Sequence, residues 1–176
     1  MFHDASGPLY DFMKSIGRPM NDCGSKTALQ YFFEIRDSST PRAFGARSDS
    51  SWMVVHLNEL TESDFDLLNR STLKFHVVHC PRSHNYFGHS PFAFDRLRSL
   101  GFNICLGTDS LASNESLSLF DEMRAFRKNF PRVSPQEILQ MATVNSARAL
   151  RNENALGQIR SGFEPDCAAR ARASGE

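Results

Sequence analysis

Asn103-Ile104-Cys105-Leu106-Gly107-Thr108-Asp109 is one of three short apolar runs in this chain that lead to a titratable side chain. The other two are Trp52-Met53-Val54-Val55-His56 and Phe75-His76-Val77-Val78-His79. Each is followed by a loop and then a segment of helical period. His79 follows His56 by 23 residues and Asp109 follows His79 by 30. Those distances approach the length of one strand-plus-helix unit. Strands alternating with helical patterns define an α/β fold with a parallel sheet. In a parallel barrel the reactive groups lie where strands end, on the face built by the βα loops. Two imidazoles and a carboxylate at three successive strand ends therefore point to a metal or proton-transfer site. Three strands do not close a barrel, so the fold expected is a partial (β/α)8 barrel: about the last three strands with their helices.

The bulk numbers bound the problem. At 176 residues there is room for one domain with a core. Hydrophobic residues make up 40% and charged residues 23%, a soluble globular composition. Lys+Arg and Asp+Glu balance at 20 each, which gives no sign of a nucleic-acid or membrane partner. No apolar run approaches the roughly 20 residues of a membrane-spanning helix. Met1-Phe2-His3-Asp4 lacks the basic and apolar regions of a signal peptide. The four cysteines (Cys23, Cys80, Cys105, Cys167) are scattered and read as reduced thiols of a cytoplasmic protein.

Local signals set the other elements. Gly7-Pro8 opens a short helix closed by Gly17, and residues 27–35 read as a second helix. Residues 38–51, rich in Ser, Pro, Gly and Arg, read as an exposed loop. Residues 52–57 read as a buried strand, followed by a helix capped by Thr61. Cys80-Pro81 shapes a turn before an aromatic loop, Asn85-Tyr86-Phe87-Gly88, flanked by His84 and His89. Ser90-Pro91 reads as a helix start and Gly101 as its end. Residues 116–130 are helical. Ser134-Pro135-Gln136-Glu137 is a capping box that begins a helix running to about Leu150. Residues 1–166 form the folded part and 167–176 a disordered tail.

Each candidate residue has a plain reading beside the chemical one. His56 is a zinc or iron ligand or a proton relay, or a buried histidine bonded to a carbonyl. Its place at a strand end, with two similar neighbours, favours chemistry. Asp109 is a metal ligand and proton acceptor, or a helix N-cap. Gly107 lets the backbone there come close to something. In a regular strand, His76 and Val78 point opposite to Val77 and His79. A structural zinc site from His76, His79, Cys80 and His84 lacks the usual paired spacing. His84 and His89 are substrate contacts or loop surface. A phosphate loop is excluded by the missing Gly-Lys-Ser/Thr.

His79-Cys80-Pro81-Arg82-Ser83, then Leu106-Gly107-Thr108-Asp109-Ser110 with Ala112-Ser113-Asn114, resembles the amidohydrolase superfamily, in its chlorohydrolase and deaminase branch. Leu119-Phe120-Asp121-Glu122-Met123-Arg124, residues 141–150 and residues 156–162 fit the segments that follow. The resemblance covers about residues 52–166. It implies that His56, His79 and Asp109 end the sixth, seventh and eighth barrel strands. It implies a divalent metal, zinc or else iron, held by Asp109 with His56 beside it. It implies Asp109 and His56 as the catalytic pair, and a substrate end shaped by His79, Arg82, Ser83 and His84. The activity implied is hydrolysis of a C–N bond, deaminating a small amino-substituted heterocycle. The chain departs from the family at His84, where Asn is usual, and at Gly162-Phe163-Glu164-Pro165-Asp166, where Gly-x-x-Ala-Asp is usual. No segment matches the family's first-strand His-x-His pair or its fifth-strand histidine, and His3 is too near the start to end a strand. Both ends therefore read as cut, with the stretch inactive alone. An alternative is a non-catalytic α/β fragment. A nucleotide-binding open sheet is a weaker option, because the Gly-rich fingerprint is absent. An open set of strands leaves an apolar face with Val55, Val77 and Ile104 uncovered, which favours pairing with another copy.

Overall fold

The computed structural model of the chain describes residues 4–21, 23–37 and 52–165. The loop expected over 38–51 and the tail expected over 167–176 lie outside the described residues, as does His3. The described residues gather into two compact units: those before residue 50 group with 60–73, and those just after it, up to 59, group with those from 74 onward.

The first unit holds three helices: α1 (Pro8–Ser15), α2 (Ala28–Asp37) and α3 (Glu62–Arg70). Pro8 sits in the first turn of α1, where its missing N–H costs nothing. None of α1's residues is buried. Thr61 caps α3 in a full capping box: its hydroxyl accepts from the Asp64 N–H, and the Asp64 carboxylate accepts from the Thr61 N–H. The same buried carboxylate accepts from the Thr27 hydroxyl, just ahead of α2. One aspartate thus joins α2 to α3, while Leu29, Phe33, Phe65 and Leu68 are buried.

The second unit is built on a parallel sheet in the order β1 (Met53–Val55), β2 (His76–His79), β3 (Asn103–Leu106). The pairing places Val54, Val77 and Ile104 in one row and Val55, Val78 and Cys105 in the next. Paired residues share a face and successive residues alternate. Val77, His79, Ile104 and Leu106 are therefore on one face and buried. Phe92 and Phe126 cover that face at His79, and Phe94, Phe126 and Phe130 continue the aromatic layer.

This register corrects the expected apolar face. Val77 and Ile104 are not on the same side as Val55, and both are under the helices. The exposed apolar positions are Met53 and Val55, at 47% and 50%. They lie on β1, which has a sheet neighbour on one side only among the described residues. The expectation that residues 52–57 form a buried strand is corrected for the same reason. On the Val78 side of β2, Asn103 Nδ2 donates to His76 Nδ1 at 2.8 Å and to the Asn145 carbonyl at 2.9 Å.

The helices of this unit are α4 (Pro81–Phe87), α5 (Phe94–Ser99), α6 (Leu119–Asn129), α7 (Pro135–Ala142) and α8 (Val144–Ala149). Three local expectations are corrected. Cys80-Pro81 opens α4 rather than a simple turn, and the aromatic segment after it is helical up to Gly88. Ser90-Pro91 does not start a helix. Phe92 stacks on His79 instead, and α5 begins at Phe94 with Ala93 as its cap. The helix begun at Ser134, whose hydroxyl accepts from the Glu137 N–H, stops at Ala142. Thr143 leaves helical geometry at φ −125°, ψ −87°, and its hydroxyl donates back to the Leu139 carbonyl at 2.7 Å. Among the described residues no helix is long and apolar enough to cross a membrane.

Candidate active site

The carboxyl ends of the three strands carry the site. β1 ends at Val55, and the His56 N–H continues the ladder to the Val78 carbonyl at 2.8 Å. β2 ends on His79 itself. Beyond β3, the Gly107 N–H donates to the His79 carbonyl at 2.9 Å, and the chain then turns at Asp109. Gly107 is required by close approach. A Cβ there would lie 2.8 Å from Val78 Cγ1 and 3.2 Å from Cys80 Sγ.

His56 (φ 70°), Leu57 (φ 50°), Glu59 (φ 57°) and Asp109 (φ 59°) all occupy the left-handed region without being glycine. Such a conformation costs about 1–3 kcal/mol per residue and persists only where the surroundings enforce it. Both candidate catalytic residues therefore stand on strained backbone.

The two side chains meet. His56 Nε2 and Asp109 Oδ2 are 3.7 Å apart, too far for a hydrogen bond. Asp109 Oδ2 accepts from Ser83 Oγ at 2.6 Å and from Ser113 Oγ at 3.0 Å. Oδ1 accepts from the Ser110 N–H at 2.8 Å. The hydroxyl oxygens of Ser83 and Ser113 are 3.0 Å apart, but each has one proton and directs it to the carboxylate. The Ser83 hydroxyl chiefly, against burial as the next largest influence, and with help from the Ser110 N–H, Ser113 and the His56 ring, holds Asp109 below the usual carboxylate range. Asp109 is no helix cap, since α6 begins ten residues later behind Ser118.

The other expected site residues are placed differently. His79 is 1% exposed, stacked on Phe92 at 3.9 Å between centroids. Among the described residues neither of its ring nitrogens has a hydrogen-bond partner. Burial, then the neighbouring His84 and His56, lower its pKa to about 3, so it is neutral near pH 7. His84 is buried, edge-on to His79, and its Nδ1 donates to Asn58 Oδ1 at 2.9 Å. The Arg82 guanidinium faces Glu115 at 3.3 Å and Asp121 at 4.0 Å. Ser83 is committed to Asp109. A surface recess of about 530 Å³, lined by Arg82, Tyr86, Leu111, Ser113, Asn114 and Lys128 among others, touches this cluster through Ser113. Neither His56 nor Asp109 lines it.

Sequence reasoning gave no role to Glu122, Asn58 and Glu59. Glu122 is fully buried and accepts from the Arg82 N–H at 3.0 Å and from Asn114 Nδ2. Asn114 Nδ2 also reaches the Thr108 carbonyl at 2.8 Å. Burial raises the Glu122 pKa, opposed by the Arg82 N–H and Asn114. One carboxylate therefore ties α6 to the start of α4 and to the loop bearing Asp109. The available signal was an acidic residue on the otherwise apolar side of α6.

In a parallel barrel the functional residues lie at the carboxyl ends of the strands, and here a carboxylate and an imidazole converge there. Residues 20–170 match the Amidohydrolase family, and the chain belongs to that family. It is similar to the 5-methylthioadenosine/S-adenosylhomocysteine deaminase of Saccharophagus degradans, 34% identical over 120 residues, covering 64% of this chain and 26% of that one. It is 38% identical over 123 residues to the Pyrococcus furiosus protein of the same name, covering 66% and 28%. Among solved structures, a zinc-bound adenosine deaminase from Xanthomonas campestris aligns with a TM-score of 0.55 at 30% identity, over 65% of this chain and 27% of that one. The aminofutalosine deaminase of Helicobacter pylori aligns over 93% and 38% with a TM-score of 0.67; at 22% identity this supports the fold alone. The chain spans about a quarter of the length of the curated relatives it matches.

The family raises the question of a metal. Two ligands on one tetrahedral zinc, at about 2.0–2.2 Å each, are roughly 3.4 Å apart. The 3.7 Å between His56 Nε2 and Asp109 Oδ2 fits two neighbouring ligand positions. A catalytic zinc usually takes three protein ligands. Among the described residues no three His, Cys, Asp or Glu side chains gather around one point. The pair fits part of a metal shell and does not by itself make one.

Proposed function

We propose that this chain is the C-terminal barrel section of a metal-dependent amidohydrolase that deaminates an amino-substituted heterocycle, with His56, His79 and Asp109 ending strands six, seven and eight. The observation that carries the reading is the convergence of His56 and Asp109, on strained backbone, at the ends of two strands that flank β2. The named deaminases among the relatives support the reaction class. Purine nucleosides of the thioadenosine and homocysteine type are the first substrates to try.

In this proposal Asp109 takes the proton of the attacking water. Its depressed pKa keeps it ionised near neutral pH, as an acceptor must be. The water oxygen bonds to the ring carbon bearing the amino group. As it does so, the electron pair of the ring C=N bond moves onto the ring nitrogen. The proton held at Asp109 passes to the amino nitrogen, the C–N bond breaks and ammonia leaves. The remaining hydroxyl proton moves to the ring nitrogen, so that a ring carbonyl remains beside a ring N–H. His56 orders this transfer across the 3.7 Å gap. A divalent metal held by Asp109 and His56 with donors from elsewhere in the barrel would acidify the water. Ser83 and Ser113 orient the carboxylate, and the neutral, enclosed His79 keeps the floor behind it dry and uncharged.

One observation favours a second reading for the stretch alone, inactivity: the described residues bring two candidate ligands together rather than three. The experiment that separates the readings is a chimera. Residues 52–166 replace the matching segment of the Pyrococcus furiosus deaminase, and ammonia release is assayed from thioadenosine-type nucleosides. Turnover supports the catalytic reading, and a folded but inert chimera supports the second. The 176-residue chain alone should bind zinc weakly and release no ammonia.

A further inference from the structure

Three of the four residues that follow β1 hold positive φ, and each of the two ends of that run is tied to a different place in the chain. At the strand, the His56 N–H donates to the Val78 carbonyl at 2.8 Å, and the Leu57 N–H turns back on the Val55 carbonyl at 3.0 Å. Two residues on, Asn58 Oδ1 accepts from His84 Nδ1 at 2.9 Å. Glu59 Oε1 then accepts from the Ser90 N–H at 2.9 Å and from His89 Nδ1 at 3.2 Å. His84 is itself locked, buried edge-on against His79 and packed on His89 at 5.4 Å between centroids.

A left-handed run of non-glycine residues relaxes unless something prevents it. The strand ladder alone restrains only the start of the run. We propose that His84 on Asn58, and His89 with Ser90 on Glu59, form a two-point clamp that holds residues 56–59 in the conformation presenting His56 to Asp109. They are positioning residues, acting through the loop and touching neither reacting group. The significance of such a clamp for catalysis rests on the proposed function, but its existence does not. The depressed pKa of Glu59, due first to the Ser90 N–H, agrees with a carboxylate held in place. The inference also gives His84 a use: a buried ring donor reaching from α4 to the loop after β1.

The test uses the 176-residue chain and amide hydrogen exchange, with no metal and no turnover. The variant is Asn58→Ala/Glu59→Ala, which removes both acceptors. The internal reference is the Gly107 N–H, bonded to the His79 carbonyl at the neighbouring strand end. Exchange at His56 and Leu57 should quicken about tenfold or more, while Gly107 stays within about twofold of the parent chain. The ring ¹⁵N signals of His56 should move toward those in the Asp109→Asn chain. Asn58→Asp with Glu59→Gln keeps both acceptors and should restore the parent exchange rates and signals. If the double alanine variant does not fold, Asn58→Ala alone carries the same comparison. The clamp is overturned if exchange at His56 and Leu57 is unchanged, if Gly107 quickens with them, or if the acceptor-keeping variant behaves like the alanine one. An inert chimera with these exchange results would refute the proposed function and leave the clamp standing.

Discussion

Ser83 Oγ donates to Asp109 Oδ2 at 2.6 Å, joining the first turn of α4 to the loop after β3 across 26 residues of chain. Ser83 is buried, and the same Asp109 oxygen lies 3.7 Å from His56 Nε2. A short bond from a buried hydroxyl to a carboxylate favours the charged form of the acid. The serine thereby fixes both where the carboxylate points and that it is ionised.

Ser83→Ala should therefore raise the Asp109 pKa toward its ordinary value. The ¹³C shift of the Asp109 carboxyl, followed through an acid titration, checks this. The linkage has a definite sign. Asp109 is depressed in the folded chain, so its stabilisation is present above its ordinary pKa of 3.8 and is lost as pH falls through the lower folded value. Ser83→Ala should weaken that part of the acid dependence, leaving the neutral limb in place.

His79 predicts a second pH effect in a separate window. A histidine lowered from 6.5 to about 3 binds a proton in the unfolded chain before it does so in the folded one. Stability is fully present above pH 6.5 and falls as pH drops from there toward 3, at up to about 1.4 kcal/mol per pH unit. His79→Phe keeps the stack on Phe92 and removes two unpartnered nitrogens. It should fold with equal or greater stability at pH 7 and flatten the slope between pH 6 and 4. Urea unfolding at four pH values measures both effects.

Glu122→Ala should destabilise the chain by about 2–4 kcal/mol, because it empties a buried site and removes the acceptor of the Arg82 N–H and one of the two acceptors of Asn114 Nδ2. Glu122→Gln keeps one carbonyl acceptor and should lose less. Gly107→Ala should cost about 1–3 kcal/mol, since the added methyl meets Val78 at 2.8 Å inside a packed sheet. Denaturant midpoints check all three outcomes.

The strand ends were legible because a short apolar run that stops on a polar side chain carries its own boundary. β2 and β3 fall within the expected runs, and His56 and Asp109 come together at 3.7 Å. Burial was less legible. Whether β1 is covered depends on its neighbours, and whether Val77 shares a side with Val55 depends on register, which no single run contains. Pro at a first helical position was a sound signal at Pro8 and Pro135 and failed at Pro91, where Phe92 is drawn into the stack on His79. The same signal stands at Pro81, where Cys80-Pro81 reads as a turn in sequence and in fact opens α4. Ser83 on Asp109, Arg82 on Glu122 and His84 on Asn58 are pairs 26 to 40 positions apart, and only folding brings them together.

The central claim is that His56 and Asp109 form the working half of a deaminase site. The measurement that tests it most directly is the rate of ammonia release by the chimera carrying residues 52–166, compared with the same chimera bearing Asp109→Asn, both confirmed folded by circular dichroism. The account predicts turnover in the first and a loss of about 10³-fold or more in the second, since removing a proton acceptor that is also a ligand removes both functions. Equal turnover in the two chimeras would contradict it.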